Sequence, residues 1–428
     1  YHHNFIYDRG LIPGLFYSIK DGTLNQIKPE IDAQLQKKLE KIFEDAQPEM
    51  KEMAKVYQPI FYTPVPKMKR VAFDIEVEDT DDGMVPNPRS AKYEIISVAF
   101  VDNDGKKFVY VLDRKNMEKG HYPEDFPEDA EVYFFKDEKT LLEETFRVIW
   151  DYPIVITFNG DNFDNMYLYH RAKLLKIDEK INPIYTARGG GMVSSYTYYK
   201  HSVHVDIFQF YANRSIKGYA FGSAYLQNSL EEISTGLLGV GKIKHPDTSI
   251  GQMTLADLVY YNLTDSIRTM ELTTFNDELM FHLLVILARI TKLPLQDVFR
   301  YQISTWIKSL MIFEHRRKNF LIPRRRELNE KDQKSTVSSV IEGKGFKGAY
   351  VITPKPGIHF EVAVLDFSSL YPSIIKTRNL SYETVNCVHE ECKENMLPNT
   401  PFWSCTKKMG VFAYVVGYFR DVRVNWFK

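Results

Sequence analysis

Val71, Phe73, Ile75 and Val77 take alternate positions in the segment Arg70-Val-Ala-Phe-Asp-Ile-Glu-Val-Glu78, and its β-branched and aromatic residues predict a buried strand. Asp74 and Glu76 fall between those apolar positions. A strand period of two sends both carboxylates from the same face, about 7 Å apart along the strand, so they can converge on one ion. Two carboxylates buried side by side raise a pKa or destabilise the fold unless a cation neutralises them, and hard oxygen ligands suit Mg²⁺ or Mn²⁺. The alternative is an edge strand with a solvated acidic face.

The same pattern reading places the other elements. Residues 1 to about 28 alternate around Leu11-Ile-Pro-Gly14 as short strands and turns. Ile31, Leu35, Leu39, Ile42 and Phe43 have helical spacing that Pro48 interrupts, and Pro59 to Pro66 reads as a linker. Strands are predicted at Ile95–Phe100 and Phe108–Leu112, joined by the Asp102-Asn-Asp-Gly105 turn. A helix over Thr140–Trp150 leads into a buried strand at Ile154–Phe158, and this order points to an α/β domain. The tyrosine-rich stretch from Gly189 to Val205 reads as a loop and hairpin. Residues 275 to 320 are helical with a break at Pro294, and the Ser-rich stretch Ser335–Ser339 separates them from a final α+β portion. The sequence contains no internal repeat and no low-complexity tract.

At 428 residues the chain has room for roughly three domains, and a hydrophobic fraction of 44% with 14% aromatics fits well-cored globular units. With no run of eighteen apolar residues and no signal-peptide pattern, the expectation is a cytoplasmic protein without membrane insertion. The net charge of −1 gives no overall attraction to nucleic acid. Charge distribution carries that argument: Arg316-Arg-Lys318 and Arg324-Arg-Arg326 flank Phe320-Leu-Ile322, either as phosphate contacts or as solvated surface. Tyr1 in place of methionine, and an aromatic run at the C-terminus, suggest a fragment or one chain of a split protein.

Chemistry concentrates in three places. Thr157-Phe-Asn-Gly-Asp-Asn-Phe-Asp-Asn165 sets Asn159, Asp161 and Asp164 at the C-terminal end of a strand, where open α/β sheets meet ligands. Tyr261-Asn-Leu-Thr-Asp265 puts Tyr261 and Asp265 one helical turn apart. Asp74, Glu76, Asp164 and Asp265 would then form a four-carboxylate cup of the kind that two-metal phosphodiester hydrolysis uses, with Tyr261 orienting the water and Asn159 supporting the substrate strand or Asp164. Taken singly, the Asn-Gly-Asp run also reads as a turn and Tyr-x-x-x-Asp as a helix surface.

These three motifs, in this order, closely resemble the exonuclease motifs of archaeal-type family B DNA polymerases. Leu365-Asp-Phe-Ser-Ser-Leu-Tyr-Pro-Ser-Ile-Ile375 resembles the first palm motif of that family, and Phe346-Lys-Gly-Ala-Tyr350 its template-contacting Tyr-x-Gly-Gly/Ala element, with Phe346 in place of the tyrosine. The resemblance implies an α/β and α+β multidomain protein: an RNase-H-like 3′→5′ exonuclease domain plus a partial palm. Its implied boundaries are a truncated N-terminal domain (1–63), the exonuclease domain (64–276), a helical return segment (277–320), the partial palm (321–410) and the start of the fingers (411–428). It implies two Mg²⁺ or Mn²⁺ ions per active site, with Asp74, Glu76, Asp164, Asp265 and Asp366 as metal ligands and Tyr261 beside them. DNA contacts fall on Asn159, Phe346, Lys347, Gly348 and Ala349, and the incoming nucleotide on Ser369, Leu370 and Tyr371. The implied partners are primer-template DNA, single-stranded 3′ ends, deoxynucleoside triphosphates, a C-terminal polymerase portion as a second chain, and a sliding clamp.

Read from its residues, the palm motif is a buried strand, Val362–Leu365, that ends at Asp366 and turns at Ser369 into a helix whose free N–H groups can meet a triphosphate. Tyr371 would lie under the incoming sugar and leave no room for a 2′-hydroxyl. The second palm aspartates and the fingers lysine of the family are absent before Lys428, so the editing site is the complete one. The remaining readings are a stand-alone exonuclease subunit and a DNA-binding scaffold without polymerase chemistry. Cys387, His389, Cys392 and Cys405 offer a Zn²⁺ site, a disulfide or unlinked thiols.

Overall fold

The computed structural model describes the chain apart from residues 1, 28, 31–32, 81–82, 116, 189–194, 242–249, 325, 327–351, 368 and 427–428. Phe346, Lys347, Gly348, Ala349 and the Ser335–Ser339 stretch therefore lie outside the described residues. The chain forms two compact units. One comprises residues 1–11, 15–63 and 308–428, and the other residues 12–14 and 64–307.

In the first unit, residues 1 to 28 are not all strand and turn. His2–Asp8 is a helix, followed by the hairpin of β1 (Tyr17–Lys20) and β2 (Thr23–Gln26). The helix Ala33–Ile42 stops before Pro48, but Pro48 opens a second helix, Pro48–Tyr62. Proline is tolerated there because the N–H it lacks would have no partner in the first turn. Pro59 lies inside this helix rather than in a linker, and near its end the Thr63 N–H still reaches the Pro59 carbonyl at 3.0 Å. The helix Val411–Trp426 brings Tyr418 onto Phe43, with ring centroids 4.8 Å apart. Buried Glu314 accepts from the Tyr57 hydroxyl at 2.8 Å and pairs with Arg317.

The second unit holds the sheet that carries the acids. β3 (Arg70–Val77), β4 (Ile95–Asp102) and β5 (Lys107–Leu112) form an antiparallel meander. Gly105, at φ +98°, makes the β4–β5 turn possible. β6 (Ala130–Phe135) adds parallel to β5, and sequence periodicity did not reveal it because this edge strand exposes both faces in part. β7 (Ile154–Thr157) pairs parallel with β3 after the helix Glu138–Asp151. β8 (Ile184–Arg188) and β9 (Ser195–Tyr199) pair as a hairpin whose first strand lies before the Gly189–Val205 stretch in which a loop and hairpin was expected, and β10 (Val203–Asp206) adds parallel to β7. The order is β10-β7-β3-β4-β5-β6. Its five strands from β10 to β5 have the RNase-H-like arrangement, a meander extended on one side by two parallel strands.

β3 is thus interior. Val71, Phe73, Ile75 and Val77 pack into the cluster beneath Leu141, Phe146 and Tyr167, while Ala72 packs on the opposite face with Ile156 and Leu263. This burial on both faces excludes the edge-strand alternative. Helix Leu255–Thr291 runs along the sheet and is broken at Phe275–Glu278, so the expected break at Pro294 is the second one. Arg70 anchors the start of β3 through Thr273 at 3.1 Å and Glu278 at 3.0 Å.

Candidate active site

Asp74, Glu76 and Asp265 offer carboxylate oxygens that all lie within 4.8 Å of one another. Two come from β3, where Asp74 stands opposite Ala99 and Glu76 opposite Ser97 in the β4 register, and the third comes from the Leu255–Thr291 helix. The β3–β4 register shifts between Glu76 and Val77, a strand irregularity of the kind often found beside sites. The three acids line a cleft of about 550 Å³ with Asp164, Asn159, Tyr261, Asn228, Glu231 and the rings of Phe158, Phe163 and Phe208.

Asp164 belongs to the cleft but not to the close group of three. It opens the helix Asp164–Leu174, and its Oδ1 accepts the Ile75 backbone N–H at 3.2 Å, between the two β3 acids in sequence. Burial pushes its carboxyl up to about 7, and the charge of Asp265 adds to the shift.

The turn that delivers Asp164 is heavily fixed. Asn159 adopts φ +69°, a left-handed conformation that asparagine tolerates. At Gly160 a Cβ would lie 2.4 Å from the Thr157 hydroxyl, so no larger residue fits without a shift. Asp206 accepts the N–H groups of Asn159 at 2.8 Å and Asp161 at 3.1 Å. Asp161 is no metal ligand here: Arg300 holds both its oxygens, at 3.1 and 2.9 Å, and the Thr197 N–H adds a bond at 3.0 Å. Arg300 itself sits over the Tyr196 and Tyr198 rings of β9.

Two positioning residues escaped the sequence reading. Asn262 is buried and donates to Asp74, while Ser97 donates to Asn262 at 2.8 Å. The available signal was a second polar stripe on the helix: Asn262 and Ser266 are one turn apart, and the Ser266 hydroxyl reaches the Ala99 carbonyl at 3.0 Å. Arg300 had no local signal, because its partner Asp161 is 139 positions away.

The palm motif differs from expectation. Residues 362–367 are irregular, and Leu365 is 94% exposed, not a buried strand. A strand is held by a hydrogen-bonded neighbour, and among the described residues none pairs with this segment. Asp366 is exposed there and joins no group of three metal-binding side chains among the described residues. The expected helix follows as Leu370–Thr377, with Ser369 at φ +56° before it and Tyr371 72% exposed. Lys376 pairs with Asp421 at 2.6 Å, and Arg423 donates to the Ser369 hydroxyl at 3.1 Å.

The first basic cluster is largely committed to ion pairs. Arg316 meets Asp8 at 3.1 Å, Arg317 meets Glu52 and Glu314 at 2.8 Å each, and Lys318 also binds Glu52. These pairs offset the charge that the phosphate-contact reading required.

A family model for the family B DNA polymerase exonuclease domain matches residues 1–221, and a second, for family B DNA polymerase, matches residues 293–415. The chain belongs to the family B DNA polymerases. Among its relatives is "DNA polymerase 1" of Sulfolobus acidocaldarius, 40% identical over all of this chain and 48% of that protein. Proteins of the same name from Sulfurisphaera ohwakuensis and Aeropyrum pernix are 41% and 37% identical, again over all of this chain and over 48% and 44% of their own length. The chain thus spans about half the length of the polymerases it matches. Among the described residues, no helix is long and apolar enough to cross a membrane.

Proposed function

We propose that this chain removes nucleotides from single-stranded 3′ DNA ends by two-metal phosphodiester hydrolysis, and that in the longer polymerase this activity edits the products of templated synthesis. The observation that carries the reading is the convergence of Asp74, Glu76 and Asp265 within 4.8 Å, with Asp164 in the same cleft. Like charges so close need a hard divalent cation, and an all-oxygen donor set fits Mg²⁺ or Mn²⁺. Asp74, Glu76 and Asp265, with Asp164 in the same cleft, would hold the ions. Bound there, the ions supply charge neutralisation and Lewis acidity. The Tyr261 hydroxyl orients the attacking water, Asn159 contacts the terminal nucleotide, and the Phe158 and Phe208 rings give bases a stacking surface.

Synthesis draws on the other unit. Asp366, which has no second acid beside it among the described residues, would hold a palm metal only together with further carboxylates, while Ser369 and Leu370 would present the helix N-terminus to the triphosphate and Tyr371 would exclude the 2′-hydroxyl. Phe346, Lys347, Gly348 and Ala349 contact the template. The partners of this reading are primer-template DNA, deoxynucleoside triphosphates, a C-terminal polymerase portion and a sliding clamp, all in the cytoplasm. The domain limits implied by the resemblance, with the exonuclease over 64–276 and the partial palm over 321–410, belong to the same proposal.

The test uses labelled DNA with Mg²⁺. The chain of residues 1–428 should trim single-stranded 3′ ends, and Asp74→Ala should abolish trimming while leaving metal-free thermal stability almost unchanged, because removing one acid relieves repulsion. Exonuclease activity retained in Asp74→Ala refutes the assignment. Primer extension should need a polypeptide carrying the second palm aspartates and the fingers.

A further inference from the structure

Cys387, His389, Cys392 and Cys405 form a second group whose ligand atoms all lie within 4.8 Å of one another, in the unit that does not contain the acidic cleft. We propose that these four side chains bind one structural Zn²⁺, and that the ion fixes the segment joining helix Leu370–Thr377 to helix Val411–Trp426.

The first support is geometry. The His389 Nδ1 lies 3.5 Å from the Cys405 Sγ and 3.8 Å from the Cys392 Sγ. Tetrahedral zinc with Zn–S of about 2.3 Å and Zn–N of about 2.0–2.1 Å sets its sulfur and nitrogen ligands about 3.5–3.6 Å apart. Nδ1 is therefore the ligand nitrogen. All three thiols are free and buried. A disulfide between any two would leave the third thiol and the imidazole without a role, whereas zinc uses all four groups.

The second support is the poverty of the local core. The hydrophobic cluster of this segment consists of the three cysteines, with Trp403 packed against them. Val388 is 91% exposed. Pairing is equally thin: two isolated bridges, Val385 with Ser404 and Met396 with Trp403, and one 3₁₀ turn at Glu390–Glu394. A connector this irregular buries too little apolar surface to order itself, and short segments of this kind are held by metals or disulfides.

The third support is the backbone around the sulfurs. The Thr406 N–H donates to the Cys392 Sγ at 3.4 Å, which holds that sulfur in place. Trp403 Nε1 reaches the Cys387 carbonyl at 3.0 Å, which fixes the loop carrying that ligand. Binding would displace three thiol protons, so three thiolates and a neutral imidazole around Zn²⁺ carry one net negative charge. The site connects directly to the palm-motif helix: Asn379 just after it donates to the Cys405 and Lys408 carbonyls, each at 2.8 Å, and accepts the Gly410 N–H at 2.8 Å.

The test uses the full chain, purified without chelator from zinc-supplemented culture. Elemental analysis should find about one zinc per chain. Replacement by Co²⁺ should give thiolate-to-metal charge-transfer absorption and the intense visible bands of a tetrahedral site. Cys392→Ser and Cys405→Ser should each lower zinc content about tenfold or more, and Asp74→Ala should leave it unchanged, which separates this site from the exonuclease reading. Because the cysteine variants could misfold, the wild-type cobalt spectrum stands as an independent readout. Wild-type protein that holds neither zinc nor cobalt overturns the proposal, whether titration in denaturant finds three free thiols or only one.

Discussion

Asn262 donates its side-chain N–H to the Asp74 Oδ2 at 2.9 Å, so an acid of the cleft is aimed by a neighbour that does not line it. Groups that orient metal ligands typically contribute 10–100-fold to affinity or activity. Asn262→Ala should weaken Mn²⁺ binding and slow trimming by about tenfold or more. It should also cost about 1–3 kcal/mol of stability, since the buried Ser97 hydroxyl loses its acceptor. Calorimetric Mn²⁺ titration alongside single-turnover trimming checks both; unchanged Mn²⁺ affinity would show that Asp74 is aimed by other contacts.

The state of Asp164 sets a pH dependence. Its carboxyl, ordinarily near 3.8, is raised to about 7 without metal, so the folded protein holds this proton more tightly than the unfolded chain does. Its contribution to stability is full below the ordinary value and is lost as pH rises through about 7. A divalent ion replaces the proton, so its stabilising effect should be larger at about pH 8 than at about pH 5. Melting curves with Mn²⁺ and with chelator at the two pH values measure this. An equal increment at both would mean that Asp164 is not a ligand.

Arg300 and Asp161 test the turn. Arg300→Met leaves a buried carboxylate without its main partner, a change that costs about 3–5 kcal/mol. Trimming at a temperature where the variant is still folded should fall as well, because Asn159, Gly160 and Asp164 share the same turn. A variant that melts early but trims at the wild-type rate would limit Arg300 to stability.

The basic cluster makes a contrasting case. Arg316→Gln should leave the salt dependence of single-stranded DNA binding unchanged, because Arg316 faces Asp8. Arg317→Met should destabilise by about 3 kcal/mol, because Glu314 is fully buried. Binding isotherms across a salt series and thermal melts decide. A salt slope that drops by about one with Arg316→Gln would return this residue to the DNA interface.

What sequence conveyed was whatever is written in local period. The alternation of β3 and the one-turn spacing of Tyr261 and Asp265 mark the sheet and the acids, because each pattern is complete within a few residues. Long-range partners leave no such trace: Arg300 for Asp161 and Asn262 for Asp74 exist only once the sheet is assembled. Pro59 misled because proline signals a boundary, yet it removes only the one bond its own N–H would have made, and the helix runs on until the Thr63 N–H meets the Pro59 carbonyl. Val362–Leu365 has strand composition, but composition cannot supply the neighbouring strand.

The meander and its two added parallel strands also bear on when the proposed exonuclease could act. Asp74 and Asn262 are 188 positions apart, and parallel neighbours such as β3 and β7 are joined by a long connection rather than a tight turn. Contacts of such long sequence separation are the slow ones in folding, because the loop they close is long. A fully synthesised but partly unfolded chain therefore contains every acid of the cleft without the cleft itself. On the proposed function, hydrolysis would wait until the last long-range contacts close.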